Sequence, residues 1–411
     1  MKDPNNIISN IAITILIIGI FFSLSNKYVN MTYCCVLGTI LLLIYVILLK
    51  KNNIKINKIF IMLFSVSIVF FISSFVFYSK SGFKYSMYFF IGTMLYLAGS
   101  NLPEKKTYII KCLKLFSGIF AIITIVSTVL GDKFYYIYGL LFEAKRYYEV
   151  VGLAQYNCFS GIAGQTGLNA FFISIGLLIT YIDIFTTKNK ITKNTIMIII
   201  YMIALMLTAK RAILLYNIII MVLIIFYKNR NNLLKMIKYM SIVFISGIII
   251  FFTIYNVMPK AFYVIERFFN QKDISTGRFD LYAEAWDIFE ENSFYGIGIN
   301  NFSDYLEQKK GTSIQVHNVP LQLLTELGVF QAIYVLSIIS YIFLISIIDA
   351  KKNKKIEMYY GIAIQILFLM YFVTGNAIYD VPILYTYIIS LILTNARKGE
   401  KNEKNFNINI S

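Results

Sequence analysis

Apolar residues in this chain run in long blocks and do not alternate with polar ones. The blocks at 7–24, 31–49, 59–78, 85–101, 112–130, 168–185, 194–209, 211–227, 238–256, 329–348, 357–374 and 379–394 carry almost no charge. Most approach the roughly 18–20 residues a helix needs to cross about 30 Å of hydrocarbon. In lipid a segment must satisfy its own backbone hydrogen bonds, and a helix does so. The pattern predicts an all-α polytopic integral membrane protein with about 12 transmembrane helices, a single helical domain over 1–411. The block at 7–24 has no small-residue cleavage site after it and reads as the first span, not as a leader. Only Ala209, Lys210 and Arg211 separate the seventh block from the eighth. One continuous helix there would bury two cations at mid-membrane, so a tight turn is expected.

Composition agrees: 58% of residues are hydrophobic and 14% charged, and the mean hydropathy is +0.69. A soluble domain is about half apolar and a quarter charged. The net charge is +17, which in a soluble protein would point to nucleic acid. Its placement argues otherwise. Segments 1–6, 50–58, 102–111, 186–193, 228–237, 349–356 and 395–411, with the flanking Lys114 and Lys238, hold the whole surplus, and the opposite connections balance. By the positive-inside rule both termini, including the tail at 395–411, lie in the cytoplasm. Clusters such as Lys351, Lys352, Lys354 and Lys355 then face anionic headgroups of the lipid bilayer, and no nucleic-acid partner is expected. The four cysteines, Cys34, Cys35, Cys112 and Cys158, have neither disulfide nor metal-ligand spacing.

Two connections are long, at 131–167 and 257–328, both on the extracytoplasmic side of this topology. Loops beyond about 12–15 residues are usually functional or disordered. The second has helical spacing at Phe279, Tyr282, Trp286 and Phe289, which predicts a short amphipathic helix beginning near Arg278 and packed on the mouth of the bundle. It also contains the chain's one histidine, His317. Histidine exchanges a proton near neutral pH, although a half-wet residue opening a helix before Pro320 is an equally plain reading. Lys210 and Arg211 sit at the same membrane boundary. They either snorkel to headgroups or bind an anion, for which the arginine fork suits phosphate oxygens. Arg278 is a surface cation or a member of such a cluster, as are Lys145, Arg146, Lys260 and Arg267. The Gly296-Ile297-Gly298 stretch lacks the strand and spacing of a nucleotide fingerprint and reads as a tight turn. Asp280, Glu284, Asp287, Glu290 and Glu291 read as a solvated face, and no metal is expected.

Four stretches carry a resemblance to the bacterial O-antigen ligase and O-antigen polymerase superfamily. Residues 207–215, Leu-Thr-Ala-Lys-Arg-Ala-Ile-Leu-Leu, resemble its arginine turn between central spans, with lysine where a small residue is usual. Gly277-Arg278-Phe279 with Trp286 resembles the start of its large loop. Residues 292–302 resemble its "Pro, two residues, Gly-x-Gly" stretch, with Ser293 in place of proline. His317-Asn318 followed by Leu321, Leu324, Glu326 and Gly328 resembles its His-Asn motif. Residues 160–169 echo its other loop more weakly. The resemblance implies a fold of the GT-C class of membrane glycosyltransferases, acting at the outer face of the cytoplasmic membrane without a cofactor. The implied donor is a glycan on undecaprenyl pyrophosphate. Arg211 and Arg278, with Lys210, would hold the leaving pyrophosphate, and His317 would take the acceptor's proton. Asn318, Glu326, Trp286 and Gly298 would shape or orient the sugar site.

Within this resemblance a polymerase, whose acceptor is a second lipid-linked repeat unit, and a ligase, with another acceptor, use the same motifs. The reading leans to a capsule-type polysaccharide polymerase, working beside a flippase and a chain-length regulator. A transporter or flippase is the alternative of another class. It calls for ionisable groups facing each other at mid-span, and the spans contain almost none: Asp183 and Asp380 lie at span edges.

Overall fold

The computed structural model describes residues 4–50, 53–185, 191–229, 232–237, 240–241, 263 and 277–395. Among the described residues there is no β-strand. In chain order come α1 (Pro4–Phe21), α2 (Thr32–Lys50), α3 (Lys58–Val76), α4 (Lys80–Ser100) and α5 (Lys106–Leu130). Next are α6 (Tyr135–Leu141), α7 (Ala144–Gln155), α8 (Thr166–Ile184), α9 (Ile191–Leu207) and α10 (Arg211–Asn229). Then follow α11 (Arg278–Glu291), α12 (Phe302–Lys310), α13 (Val319–Asn353), α14 (Ile356–Thr374) and α15 (Val381–Thr394).

Each span expected from hydropathy within the described residues falls on a helix. The expected span at 238–256 lies outside them apart from 240–241, as do Lys260, Arg267 and the tail after Asn395. Seven helical stretches are long and apolar enough to cross a membrane: Thr32–Leu49, Lys58–Val76, Pro103–Leu141, Thr166–Ile184, Arg211–Asn229, Val319–Asn353 and Ile356–Thr374. Ile7–Phe21, Thr192–Leu207 and Val381–Thr394 are apolar but shorter. Helix α4 is long but more polar, and its hydroxyls pair with its neighbour α3: Ser86 with Ser74 at 2.8 Å and Thr93 with Ser67 at 3.2 Å. The protein is therefore an all-helical, multi-pass membrane protein.

The chain forms two compact units. The first draws on Met1–Leu16, Cys35–Tyr108 and Ser275–Ser411, the second on Ile17–Cys34 and Ile109–Ile274. In the first, α4 packs between α3 and α15, and α14 lies against α13 and α15. In the second, α8 is buried along nearly its whole length and packs on α9 and α10. The Phe21 ring stacks on Phe172 at 4.4 Å, and the Asn217 amide of α10 donates to Ser174 Oγ of α8 at 2.7 Å.

One irregularity matters for the site. Helix α13 breaks at Gly328, whose φ of 73° and ψ of 172° are not helical. Unbroken, its 35 residues would run about 50 Å, far beyond the hydrocarbon layer. The break separates a short leading segment, 319–327, from the long span behind it.

Candidate functional site

The long segment from residue 277 to the break folds around a small apolar core of its own. Ala285, Ile288, Ile297, Phe302, Leu306 and Val316 are buried together, with Leu281, Tyr282, Tyr305 and Leu321 against them. The expected amphipathic helix is present as α11, but the residues it buries are Ala285 and Ile288, with Leu281 and Tyr282 half-buried beside them. Phe279 is 71% exposed and Trp286 48% exposed. The spacing located the helix and not the side that faces the protein, because α11 has aromatic or aliphatic residues on both faces. Trp286 Nε1 donates to Glu290 one turn on, at 2.6 Å. The acidic face of α11 is met by lysines of α12: Lys310 pairs with Glu284, and Lys309 lies 3.8 Å from Glu291.

The glycine stretch fits into the break of α13. A helix broken at Gly328 frees carbonyls that the next turn would otherwise use. Ile297 N–H donates to Thr325 O at 3.1 Å, and Gly298 N–H to Glu326 O at 2.8 Å. In exchange Val329 N–H donates to Ser293 O at 2.8 Å. Two backbones thus run in direct contact, which leaves no room for side chains. A Cβ on Gly296 (φ +70°) would lie 2.3 Å from Glu326 O, and one on Gly328 would lie 2.2 Å from Phe294 O. Gly296→Ala should therefore open the break and release the loop. We expect faster cleavage of the 293–311 segment by added protease in membrane vesicles, with the spans still inserted.

Glu326 is 0% exposed and holds the same turn by its side chain. Its Oε2 accepts the N–H of Asn300 at 2.7 Å and the hydroxyl of Tyr379 at 2.6 Å. Its Oε1 accepts the N–H of Phe302 at 3.2 Å and the Gln322 amide at 2.9 Å. All four are donors, which suits an ionised carboxylate, an acceptor at both oxygens. Gly298 (φ +93°) is wedged against Phe77, the residue that caps the end of α3, and Ile299 N–H donates to Ser73 Oγ of α3 at 3.0 Å. Asn318 caps α13, its side chain accepting from Leu321 N–H at 3.1 Å.

His317 stands at the junction of this loop core with α13, half-buried, with a left-handed backbone (φ +58°). Its N–H donates to Asn376 Oδ1 at 3.1 Å, and its carbonyl accepts from the Tyr282 hydroxyl at 3.4 Å. Arg278, at the first position of α11, donates from Nη1 to Thr374 O at 2.9 Å. Both residues are thereby tied to the connector between α14 and α15, two residues apart. The connector is itself fixed. The Tyr85 hydroxyl of α4 donates to Ile378 O at 2.9 Å, and the Tyr85 ring stacks on Tyr379 at 5.3 Å.

Lys210 and Arg211 belong to the other unit. The expected tight turn separates α9 from α10, with Ala209 in the left-handed region at φ +54°. Thr208 Oγ1 closes onto Leu205 O at 2.6 Å. The turn rests on the first long connection: Phe159 N–H donates to Leu207 O at 2.9 Å, and Ala154, Cys158 and Phe159 are buried with Met206, Leu207 and Ala209. Both cations are half-buried at its end.

Tyr379, Asn376 and Ser73 escaped the sequence reading, and Tyr282 entered it only as one of the helically spaced apolar residues. Asn376 lies in the four-residue gap between the last two hydropathy blocks and Tyr379 opens the last block, where neither carries a pattern. The hint available was polarity: an amide and an acid in so short a turn must meet partners.

Fold and site together define a multi-pass helical membrane protein with a folded loop that presents a histidine and an arginine on a common frame. Residues 196–336 match the family model described as O-antigen ligase. Over that stretch the chain is similar to the O-antigen ligase family. The match takes in Lys210, Arg211, Arg278, the glycine turn and the His317–Gly328 stretch, and it ends before the α14–α15 connector. No curated protein matches the chain.

Proposed function

We propose that the protein is a glycosyltransferase that polymerises undecaprenyl-pyrophosphate-linked repeat units at the extracytoplasmic face of the cell membrane. The observation that carries this reading is the tethering of Arg278 and His317 to the same connector, at Thr374 and Asn376. A fixed cation and a proton acceptor are the two groups this transfer needs. The acceptor sugar hydroxyl attacks the anomeric carbon of the donor, forming the new glycosidic bond as the bond to the pyrophosphate oxygen breaks. The electron pair leaves on that oxygen, and the hydroxyl proton passes to the His317 imidazole. One displacement inverts the anomeric centre. Arg278 spends one N–H on Thr374, and a guanidinium has five N–H donors, so the fork retains donors for phosphate oxygens. For Arg211 and Lys210 the support is chemical: a guanidinium fork and an ammonium suit the phosphate oxygens of such a leaving group. Asn318, Glu326 and Gly298 hold the frame around His317, and the exposed Trp286 offers a sugar-stacking face.

The description of the matching family favours a second reading, transfer of a finished lipid-linked glycan to a different acceptor. Deleting the gene in its host and sizing surface polysaccharide on a gel separates the two. Single unpolymerised units are expected from a polymerase; long lipid-linked chains that never reach their anchor would establish the ligase. In the same host, Arg278→Ala and Arg211→Ala at matched membrane levels should each cut product by about 10²-fold or more, as loss of a fixed charge-stabilising donor does. Wild-type product from both variants would overturn the assigned roles.

A further inference from the structure

The connector between α14 and α15 lies outside the stretch matched by the family model, yet four segments of the unit converge on it. Thr374 O takes the Arg278 guanidinium, Asn376 Oδ1 the His317 N–H, and Ile378 O the Tyr85 hydroxyl, while Tyr379 donates its hydroxyl to Glu326. Asn376 also closes the connector on itself, its carbonyl accepting from Tyr379 N–H and Asp380 N–H, both at 2.9 Å. The side chain is thereby set in a tight turn, with its oxygen directed at the backbone of His317.

His317 needs such a support. A non-glycine residue at φ +58° persists only where its surroundings over-determine it, and histidine is among the residues that tolerate the region. The side chain that leaves this backbone points where the backbone directs it, so the group that holds φ also aims the imidazole. The Tyr282 hydroxyl holds it at the carbonyl and Asn376 at the N–H. The Asn376 bond is the shorter, and it comes from the same connector that holds Arg278.

We propose that Asn376 is a positioning residue, which sets the direction of the His317 imidazole and, through the connector it closes, the spacing of that imidazole from Arg278. The inference rests on the proposed role of His317 and extends it to a residue outside the matched stretch. Asn376 takes no proton and touches no substrate; its part is to accept one backbone N–H.

The test compares Asn376→Leu, which keeps the bulk and removes the acceptor, with Asn376→Asp, which keeps an acceptor in place. His317→Ala runs in parallel. Surface glycan in the deletion host, at matched membrane levels, gives activity. The chain contains a single histidine, so histidine labelled with ¹³C and ¹⁵N in detergent-extracted protein gives the NMR signals of His317 alone. Asn376→Leu should lower product by about 10- to 100-fold, since a misplacement of about 1 Å can cost 100-fold. It should also shift or multiply the His317 signals. Asn376→Asp should restore most product and a single set of signals. Wild-type product from Asn376→Leu, or unmoved His317 signals, overturns the inference. Should Asn376→Leu not accumulate in the membrane, Asn376→Ala removes the acceptor without bulk and carries the same test. If His317→Ala itself keeps full product, the proton-acceptor reading has failed and the positioning role falls with it. If His317→Ala abolishes product while Asn376→Leu matches wild type, the connector inference alone is lost.

Discussion

Replacing Glu326 with alanine should loosen this protein's folded loop and lower its melting temperature in detergent. The carboxylate is fully buried and accepts from Asn300 N–H, Phe302 N–H, Gln322 and Tyr379. Alanine removes every acceptor at once. Gln322 and Tyr379 can seek other partners by rotating, but the two backbone N–H groups cannot. Each buried donor left unsatisfied costs about 1–3 kcal/mol, so the two together cost about 2–6 kcal/mol, against a typical net stability of ~5–15 kcal/mol. The glycine turn would then keep only its backbone bonds to α13, and the tie from Ile299 to α3 would weaken. Glu326→Gln should fall between wild type and alanine. A glutamine has one oxygen and one NH₂ group, so whichever way it faces, a donor meets either Asn300 N–H or Phe302 N–H. The measurement is the melting temperature of the purified variants. Equal melting temperatures for wild type, glutamine and alanine variants would show that the buried network does not hold the loop.

His317→Asn should abolish product while leaving the fold intact, and it is a cleaner change than His317→Ala. Residue 317 has φ +58°. Asparagine accepts that region readily and alanine does not, so alanine mixes backbone strain with loss of the imidazole. Asparagine keeps the N–H that Asn376 holds and the carbonyl that Tyr282 holds, but its amide cannot take a proton near neutral pH. Loss of a well-placed general base lowers the rate by about 10²–10⁴-fold. We therefore expect His317→Asn to show wild-type melting and membrane level with product reduced by at least about 10². Full product from His317→Asn would mean that the histidine serves the backbone alone.

The two experiments draw on different layers of the same segment. Glu326 and the glycines 296 and 328 bear on whether the loop folds; in the proposed mechanism His317 and Arg278 set what the folded loop does. Gly296 and Gly328 show why glycines are required. At each, an added Cβ would meet a backbone oxygen within 2.3 Å, and backbone atoms cannot yield as a flexible side chain would. Read along the chain, "Gly-x-Gly" and "Glu-Leu-Gly" look like separate turns; in the structure they are the two halves of one contact.

What was legible in the sequence is what partition between lipid and water dictates. Blocks of apolar residues become helices because nothing else satisfies the backbone in hydrocarbon, and every expected span among the described residues is one. The Ala209 turn was legible for the same reason, since two cations at mid-membrane cost too much. So was the helix beginning at Arg278, from its spacing, although the side it buries was not: Trp286 and Phe279 are as apolar as Leu281 and Ile288, and hydropathy has no term for which neighbour is present. The positions of His317, Arg211 and Arg278 could be picked out because charge and a lone histidine stand out against an apolar background. Their support could not. The tie between His317 and Asn376 spans 59 residues, and that between Glu326 and Tyr379 spans 53. A hydrogen bond of such range leaves no periodicity, and an asparagine in a short turn looks the same whether it faces water or holds a backbone. The sequence by itself determined the medium, the helices and the residues able to do chemistry. Only the tertiary structure decided that the broken helix is closed by the glycine turn, that Glu326 faces inward, and that one connector holds both Arg278 and His317. Those outcomes depend on which distant groups the packing brings within about 3 Å, where hydrogen bonds form.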